Sequence, residues 1–361
     1  MNQLIDNLWH PEFRLNGLTF DSVSELLDFA QDLIDEGAEH EILMAQFFVK
    51  WFGTAPEMSV KTSGSTGLPK ILPLTKEHMI FSAKTTGAYF NIGAGTRALL
   101  CLPVHYIAGQ MMLVRALVLG WDLHVVAPSR DALTQYDNRY DFVALVPYQV
   151  SYALSALKKV KKLIIGGGVL SQELETALQN HDVEAYATYG MTETITHVAA
   201  RRVNGSERSE IYHAMPQVRF AQDQRDCLLI YAPGLSEAPI ITNDVVRLVS
   251  DTAFCYLGRI DLVINSGGIK HQPESIEQKL LKHLKGPLVV SSEPHATLGQ
   301  QLILVLQASG GEEPGDLDRA IATLDPLERP KKVYTFTQLP LTETGKVKRA
   351  QIKEVLEKQK K

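Results

Sequence analysis

Three cysteines in 361 residues are too few, and at Cys101, Cys227 and Cys255 too scattered, for a disulfide framework or a zinc cluster. They read as reduced thiols of a cytoplasmic protein. Long apolar runs are missing as well. The best stretches, residues 98–104 and 111–120, fall short of the roughly 20 residues that cross a bilayer, and the second carries Arg115. No basic start followed by an apolar stretch precedes Phe13, so no signal peptide is expected. Excess charge is also small: 36 Lys and Arg against 41 Asp and Glu give −5, which leaves no basic face for tracking nucleic acid. Internal repeats are lacking, and the Lys-rich stretch 353–361 reads as a solvated last helix.

What is present is the composition of a folded enzyme, 45% apolar and 21% charged, in a chain about twice the length that one core usually organises. Ser22 and Glu25 have the spacing of a capping box, and Val23, Leu26, Leu27, Ala30, Leu33 and Ile34 form one stripe behind them. From Arg97 onward, short apolar runs (98–104, 123–127, 142–147, 162–165) alternate with helix-like stretches (149–157, 172–180), the mark of βα units on a largely parallel sheet. After Gly258 the pattern shortens. A helix after Pro273, branched runs at 288–290 and 302–306, a helix near 317–324, a strand at 333–336 and a terminal helix make a small α+β unit. The expected fold is therefore α/β: a large domain, 1–258, with sheets flanked by helices, a hinge at 259–261, and a small mobile domain, 262–361.

Five segments carry chemistry. Thr62-Ser63-Gly64-Ser65-Thr66-Gly67-Leu68-Pro69-Lys70 combines two glycines, four hydroxyls and a lysine, which suits a polyphosphate, although it lacks the Gly-Lys-Ser/Thr of the standard P-loop. Gly166-Gly167-Gly168 stands between a strand and a helix, but Ser171 occupies the place where a dinucleotide fingerprint needs Gly or Ala, and no acidic ribose partner follows about twenty residues on, which argues against a nicotinamide dehydrogenase. The triplet offers instead a backbone surface for a flat base. Tyr189-Gly190-Met191-Thr192-Glu193 supplies a hard oxygen ligand for magnesium at Glu193 and a hydroxyl for phosphate at Thr192. Asp244 and Arg259 can accept from and donate to ribose hydroxyls. Lys346, on the loop of residues 339–346, is placed to swing onto and off a reacting centre.

In this order, over residues 61–349, these segments resemble the acyl-adenylate-forming, or AMP-binding, superfamily. The resemblance makes 62–70 the phosphate loop, Gly166 to Gly168 the adenine-side loop, Tyr189 to Glu193 the α-phosphate and magnesium signature, and Asp244 with Arg259 the ribose clamp. Asp261 becomes the hinge, Gly267-Gly268 the loop flanking the CoA channel, and Lys346 the catalytic lysine. Within the superfamily, residues 102–110 followed by Arg115, with the spacing Gly109-Gln110 to Arg115 and the triplet Ser266-Gly267-Gly268, are similar to the o-succinylbenzoate:CoA ligases of menaquinone biosynthesis. Gln110 and Arg115 would then hold the acyl substrate, with His105 an aromatic gate between it and the CoA channel. The implied reaction uses ATP, Mg2+ and CoA to activate an aromatic carboxylic acid. A CoA ligase for another aryl or small acid, and a catalytically silent nucleotide-binding homologue, are the alternatives, and a homodimer is left open. Two departures stand out: only about sixty residues precede the phosphate loop, so the first subdomain is shortened, and Asn243 replaces the Gly that many relatives carry before the ribose Asp.

Overall fold

The computed structural model describes residues 8–61, 71–284, 286–307, 316–340 and 347–358. Five of its strands, in the spatial order Asp122–Val125, Arg97–Leu100, Tyr140–Leu145, Val160–Ile165 and Glu184–Gly190, run parallel. The side chains of the three central ones are buried almost without alternation, because parallel strands demand crossovers and the crossover helices cover both faces; the outer two alternate. Helices Ile107–Leu119, Pro147–Ala153 and Gln172–Leu178 supply those crossovers. The first is sunk into the core from Gly109 to Val118. Its approach depends on a missing side chain: a Cβ on Gly109 would meet the Pro103 carbonyl oxygen at 2.4 Å.

The βα alternation expected from Arg97 onward stops at Gly190. Only six residues separate Gly190 from His197, too few for a crossover, so His197–Arg202 must return antiparallel against Glu184–Gly190. The sheet then continues antiparallel through Ile211–Ala214, Ala253–Arg259, Ile240–Ser250, Cys227–Tyr231 and Arg219–Gln222. The tight connection between the parallel and antiparallel halves is the segment that carries Met191, Thr192 and Glu193.

Near the start, helix Val23–Glu36 begins at Ser22, whose hydroxyl accepts from Glu25 N at 3.2 Å. The Glu25 carboxylate reaches one residue further back than a capping box requires and accepts from Asp21 N at 2.6 Å. This helix packs beside Glu39–Phe52, and Phe48 and Trp51 of the latter are fully buried in the main core.

From Ile264 a second sheet of five strands forms. Its central strand, Gly299–Gln307, shows the two-residue period of a sheet covered on both sides. Leu302, Leu304 and Leu306 join one apolar cluster with Ile276 and Leu280, whereas Ile303 and Val305 join another with Ile352 and Leu356. Helix Pro273–Leu280, strand Leu288–His295 and the terminal helix Arg349–Lys358 meet at one buried ion pair. Glu277 accepts from Arg349 Nη2 at 2.6 Å and from Val290 N at 2.7 Å, while Arg349 Nη1 donates to the Val290 carbonyl at 3.1 Å. Lys348 N donates to the Pro340 carbonyl at 2.8 Å. The two sides of the stretch 341–346 are thereby tied to each other and to this sheet. Arg349→Ala would strand the Glu277 carboxylate, which is 8% exposed, without its counter-charge. It should cost about 3 kcal/mol or more in urea unfolding followed by circular dichroism, and a cost below about 1 kcal/mol would contradict the assigned role of the pair.

Candidate active site

The connection after Gly190 is pinned by a residue that the sequence did not single out. The Thr194 side chain is fully buried; its oxygen accepts from Met191 N at 2.9 Å and its hydroxyl lies 2.7 Å from the Thr196 carbonyl. Thr196 N in turn donates to the Thr194 carbonyl at 2.7 Å, closing a three-residue turn about Ile195, which takes φ 65° and ψ −56°. That γ-turn is rare and strained, the more so for a β-branched residue, and costs on the order of 1–3 kcal/mol. Gly190 is required beside it. A Cβ there would meet the Thr196 carbonyl oxygen at 2.2 Å and His197 Cα at 2.6 Å.

At one end of this segment the Tyr189 hydroxyl donates to Asp244 Oδ2 at 2.5 Å. Asp244 lies opposite Arg259 in the antiparallel ladder, with 3.7 Å between Arg259 Nη1 and Asp244 Oδ1. Burial pushes the Asp244 carboxyl above the ordinary range, and the Tyr189 hydrogen bond and Arg259 pull it back. Arg259 also donates to Asp261 at 2.7 Å, and its backbone N–H donates to Glu274 at 2.6 Å, so strand Ala253–Arg259 is joined to helix Pro273–Leu280. In the turn itself Thr192 is half-buried and Glu193 exposed.

At the other end Thr196 meets Arg115. Arg115 Nη2 donates to Thr196 Oγ1 at 3.2 Å and Nη1 lies 3.8 Å from Met112 Sδ. Among the described residues its buried Nε has no partner, and neither has Gln110 Oε1, five residues earlier on the same helix. Arg115 is 2% exposed, and among the described residues no carboxylate is within ion-pairing distance. Burial alone accounts for its shift, which brings the guanidinium down to about 9. A buried cation with an open donor has the chemistry to take an anionic partner.

Behind Thr196 stands His197, 6% exposed, with Nδ1 at 3.3 Å from Thr196 Oγ1 and Nε2 at 3.1 Å from Thr86 Oγ1. Sequence reasoning passed over Thr86, Thr196 and His197. Each is unremarkable locally, and their partners lie about 80 to 110 residues away in the chain.

The remaining expected residues are spread more widely. Gly166 to Gly168 follow strand Val160–Ile165 and lead to Ser171, the cap of helix Gln172–Leu178; Gly166 abuts Thr188, since a Cβ there would lie 2.8 Å from Thr188 Oγ1. His105 is exposed, its ring 4.1 Å from that of Tyr106, so it is not a buried, satisfied histidine. Gly267 and Gly268, at φ 60° and 84°, form the two-residue turn between Ile264–Ser266 and Ile269–His271, the conformation a tight hairpin asks of glycine. The phosphate-loop residues Thr62, Ser63, Gly64, Ser65, Thr66, Gly67 and Lys70, and the lysine Lys346, lie outside the described residues.

The imidazole of His197 is held well below its usual range, first by burial and then by the Arg115 charge. The unfolded chain therefore takes up a proton near pH 6.5 that the folded one refuses, and this contribution to stability is lost as pH falls through that value. Relative to His197→Asn, which does not titrate, the wild type should lose about 2 kcal/mol between pH 7 and pH 5 in denaturant unfolding. A pH-independent difference would show that the imidazole takes up its proton as readily in the fold as in the unfolded chain.

Residues 61–221 match the family described as AMP-binding enzyme. Among solved structures, the acyl-CoA synthetase (AMP-forming)/AMP-acid ligase II-like protein of Dyadobacter fermentans is 34% identical, with a TM-score of 0.62 over 91% of this chain and 97% of that one. The o-succinylbenzoate CoA synthetase of Bacillus subtilis, solved with an acyl-adenylate intermediate, has a TM-score of 0.70 at 20% identity, over 82% of this chain and 68% of that one, which speaks to the fold alone. Curated relatives include the 2-succinylbenzoate–CoA ligase of Haemophilus influenzae, 25% identical over 84% of this chain and 71% of its own, and a probable ligase of the same name from Mycobacterium tuberculosis, 28% identical over 81% and 82%. The fold, the order of its motifs and the near-complete match to a relative of similar length agree: the chain belongs to the AMP-binding enzyme family.

Proposed function

We propose that this protein is an AMP-forming acid–CoA ligase whose substrate is an aromatic acid bearing a second carboxylate, with o-succinylbenzoate the best fit, and thus that it serves menaquinone biosynthesis. The observation that carries the substrate is Arg115, a buried guanidinium with no carboxylate beside it among the described residues. Keeping a cation dry costs several kcal/mol, and a pocket recoups that only with an anionic ligand. The unpartnered Gln110 Oε1 adds an acceptor on the same helix.

In the first half-reaction the reacting carboxylate, already ionised at neutral pH, attacks the α-phosphorus of ATP and displaces pyrophosphate. The residues' task is to hold like charges together. Asp244 and Arg259 would take the ribose hydroxyls, Gly166 to Gly168 the face of the base, Thr192 an α-phosphate oxygen, and the 62–70 loop with Lys70 the remaining phosphates. Glu193 suits magnesium. It is exposed, forms no ion pair among the described residues, and is a lone hard carboxylate of the kind that binds this ion together with water and substrate phosphates. When bound, the ion offsets phosphate charge. Lys346 would add the last positive charge at the transition state. In the second half-reaction the CoA thiol attacks the adenylate carbonyl and AMP leaves. The two steps need different groups at one centre, so the unit 262–361 is taken to turn about 259–261, withdrawing Lys346 and bringing Gly267-Gly268 over the thiol channel, which His105 of the large unit would border.

Pyrophosphate release with ATP and a panel of acids tests the reading. O-Succinylbenzoate should outrun benzoate and fatty acids in the wild type. Arg115→Met should raise KM for o-succinylbenzoate by about 30-fold or more, the scale of losing a buried charged partner, while benzoate turnover hardly changes. Lys346→Ala should slow adenylate formation on the order of 100-fold and spare thioester formation from supplied adenylate. A wild type that prefers monocarboxylic acids would sink the substrate assignment.

A further inference from the structure

We infer that His197 is a positioning residue: as a neutral imidazole with its proton on Nε2 it orients Thr196, and through Thr196 the Arg115 guanidinium, toward the acyl substrate. The inference rests on the acyl pocket proposed above and adds to it a residue that does not touch the substrate.

The direction of every proton in the chain of contacts follows from the donor inventory. Thr86 Oγ1 lies 2.8 Å from the Ser82 carbonyl oxygen, which can only accept, so the single Thr86 hydroxyl proton points there. Toward His197 Nε2, 3.1 Å away, Thr86 is left as an acceptor, and Nε2 must carry the hydrogen. A neutral ring then has its lone pair on Nδ1, which faces Thr196 Oγ1 at 3.3 Å. The Thr196 hydroxyl donates to it. Arg115 has donors only, so the contact between Arg115 Nη2 and Thr196 Oγ1 at 3.2 Å uses a lone pair of that same oxygen. The order is thus Arg115 to Thr196 to His197 to Thr86 to the Ser82 carbonyl, with Thr196, His197 and Thr86 each passing its one available proton forward.

Two further observations fit. His197 is buried beside Phe90, ring to ring at 6.0 Å in an edge contact, so the imidazole has little freedom to turn. Burial and the nearby Arg115 both keep it uncharged, which leaves one positive charge in the pocket instead of two. The backbone contributes as well. The strained turn at Ile195 sets the Thr196 hydroxyl between the guanidinium and the ring, and a strained turn persists only where its surroundings demand it. A guanidinium held at one Nη by a directed acceptor keeps its remaining edge, including the unpartnered Nε, in a fixed orientation. The entropy of orienting it is then settled before a carboxylate arrives.

The test uses the full-length protein with 15N-labelled histidine and arginine. At pH 7 the His197 nitrogens should show the Nε2–H tautomer in long-range 1H–15N correlation spectra. The Arg115 side-chain signals should be sharp in the wild type and in His197→Asn, whose amide oxygen can replace Nδ1 as acceptor, and averaged by rotation in His197→Leu and Thr196→Val. An Nδ1–H tautomer, or Arg115 signals unaltered in His197→Leu, would overturn the inference. These readouts need no substrate, so they decide the matter even if the acid panel shows that the pocket takes no dicarboxylic acid. With o-succinylbenzoate, His197→Leu should raise KM about tenfold, the scale of one hydrogen bond to a charged group, more than it lowers kcat, and His197→Asn should restore most of the affinity. Equal losses in the Asn and Leu variants would mean that His197 serves packing only.

Discussion

A positive charge kept dry, with no counter-charge among the described residues, is the constraint around which the large unit of this protein is arranged. Arg115 sits on a helix buried along nearly its whole length, and such a helix is costly to load with a guanidinium. The surroundings do not neutralise it. They offer a hydroxyl, a thioether and a neutral imidazole, enough to orient the group and too little to satisfy it. On the reading proposed above, that deficit is what an anionic substrate would fill.

Topology explains why the polar groups collect where they do. Parallel strands place their crossover loops at one edge of the sheet, and the chain switches from parallel to antiparallel pairing immediately after Gly190. The switch brings one short segment, 189–197, against both Asp244 from the antiparallel half and Arg115 from a crossover helix of the parallel half. A nucleotide at the first and an acyl group at the second would have their joined atoms near the turn that bears Thr192 and Glu193. That turn follows the carboxyl end of the last parallel strand, and open α/β sheets bind ligands outside the carboxyl ends of their strands.

The smaller unit is built on a different principle. Its central strand is apolar on both faces, and its helices are tied by a buried Glu277–Arg349 pair that also fixes Val290. Apolar clusters before residue 255 and after residue 263 share no member among the described residues. What joins the two sides close to the chain crossing is polar, notably the Glu274 carboxylate on the Arg259 backbone, the kind of contact that can be exchanged without unpacking a core.

Local order was readable from the amino acids alone, because it depends on neighbours in the chain. The Ser22 cap, the apolar runs that became strands, the glycines at 267 and 268, and the order of motifs that marks the family all follow from spacing and side-chain type. The place of Arg115 inside an apolar helical run was legible too, whereas its role toward an anion came only with the family resemblance. Tertiary structure decided the rest. That the sheet reverses after Gly190, that no carboxylate among the described residues approaches Arg115, that Tyr189 meets Asp244, and that Thr86, Thr196 and His197 line up behind the guanidinium are all consequences of contacts between segments distant in sequence. No periodicity encodes them, because a hydrogen bond between positions 115 and 196 exists only once the intervening strands have paired.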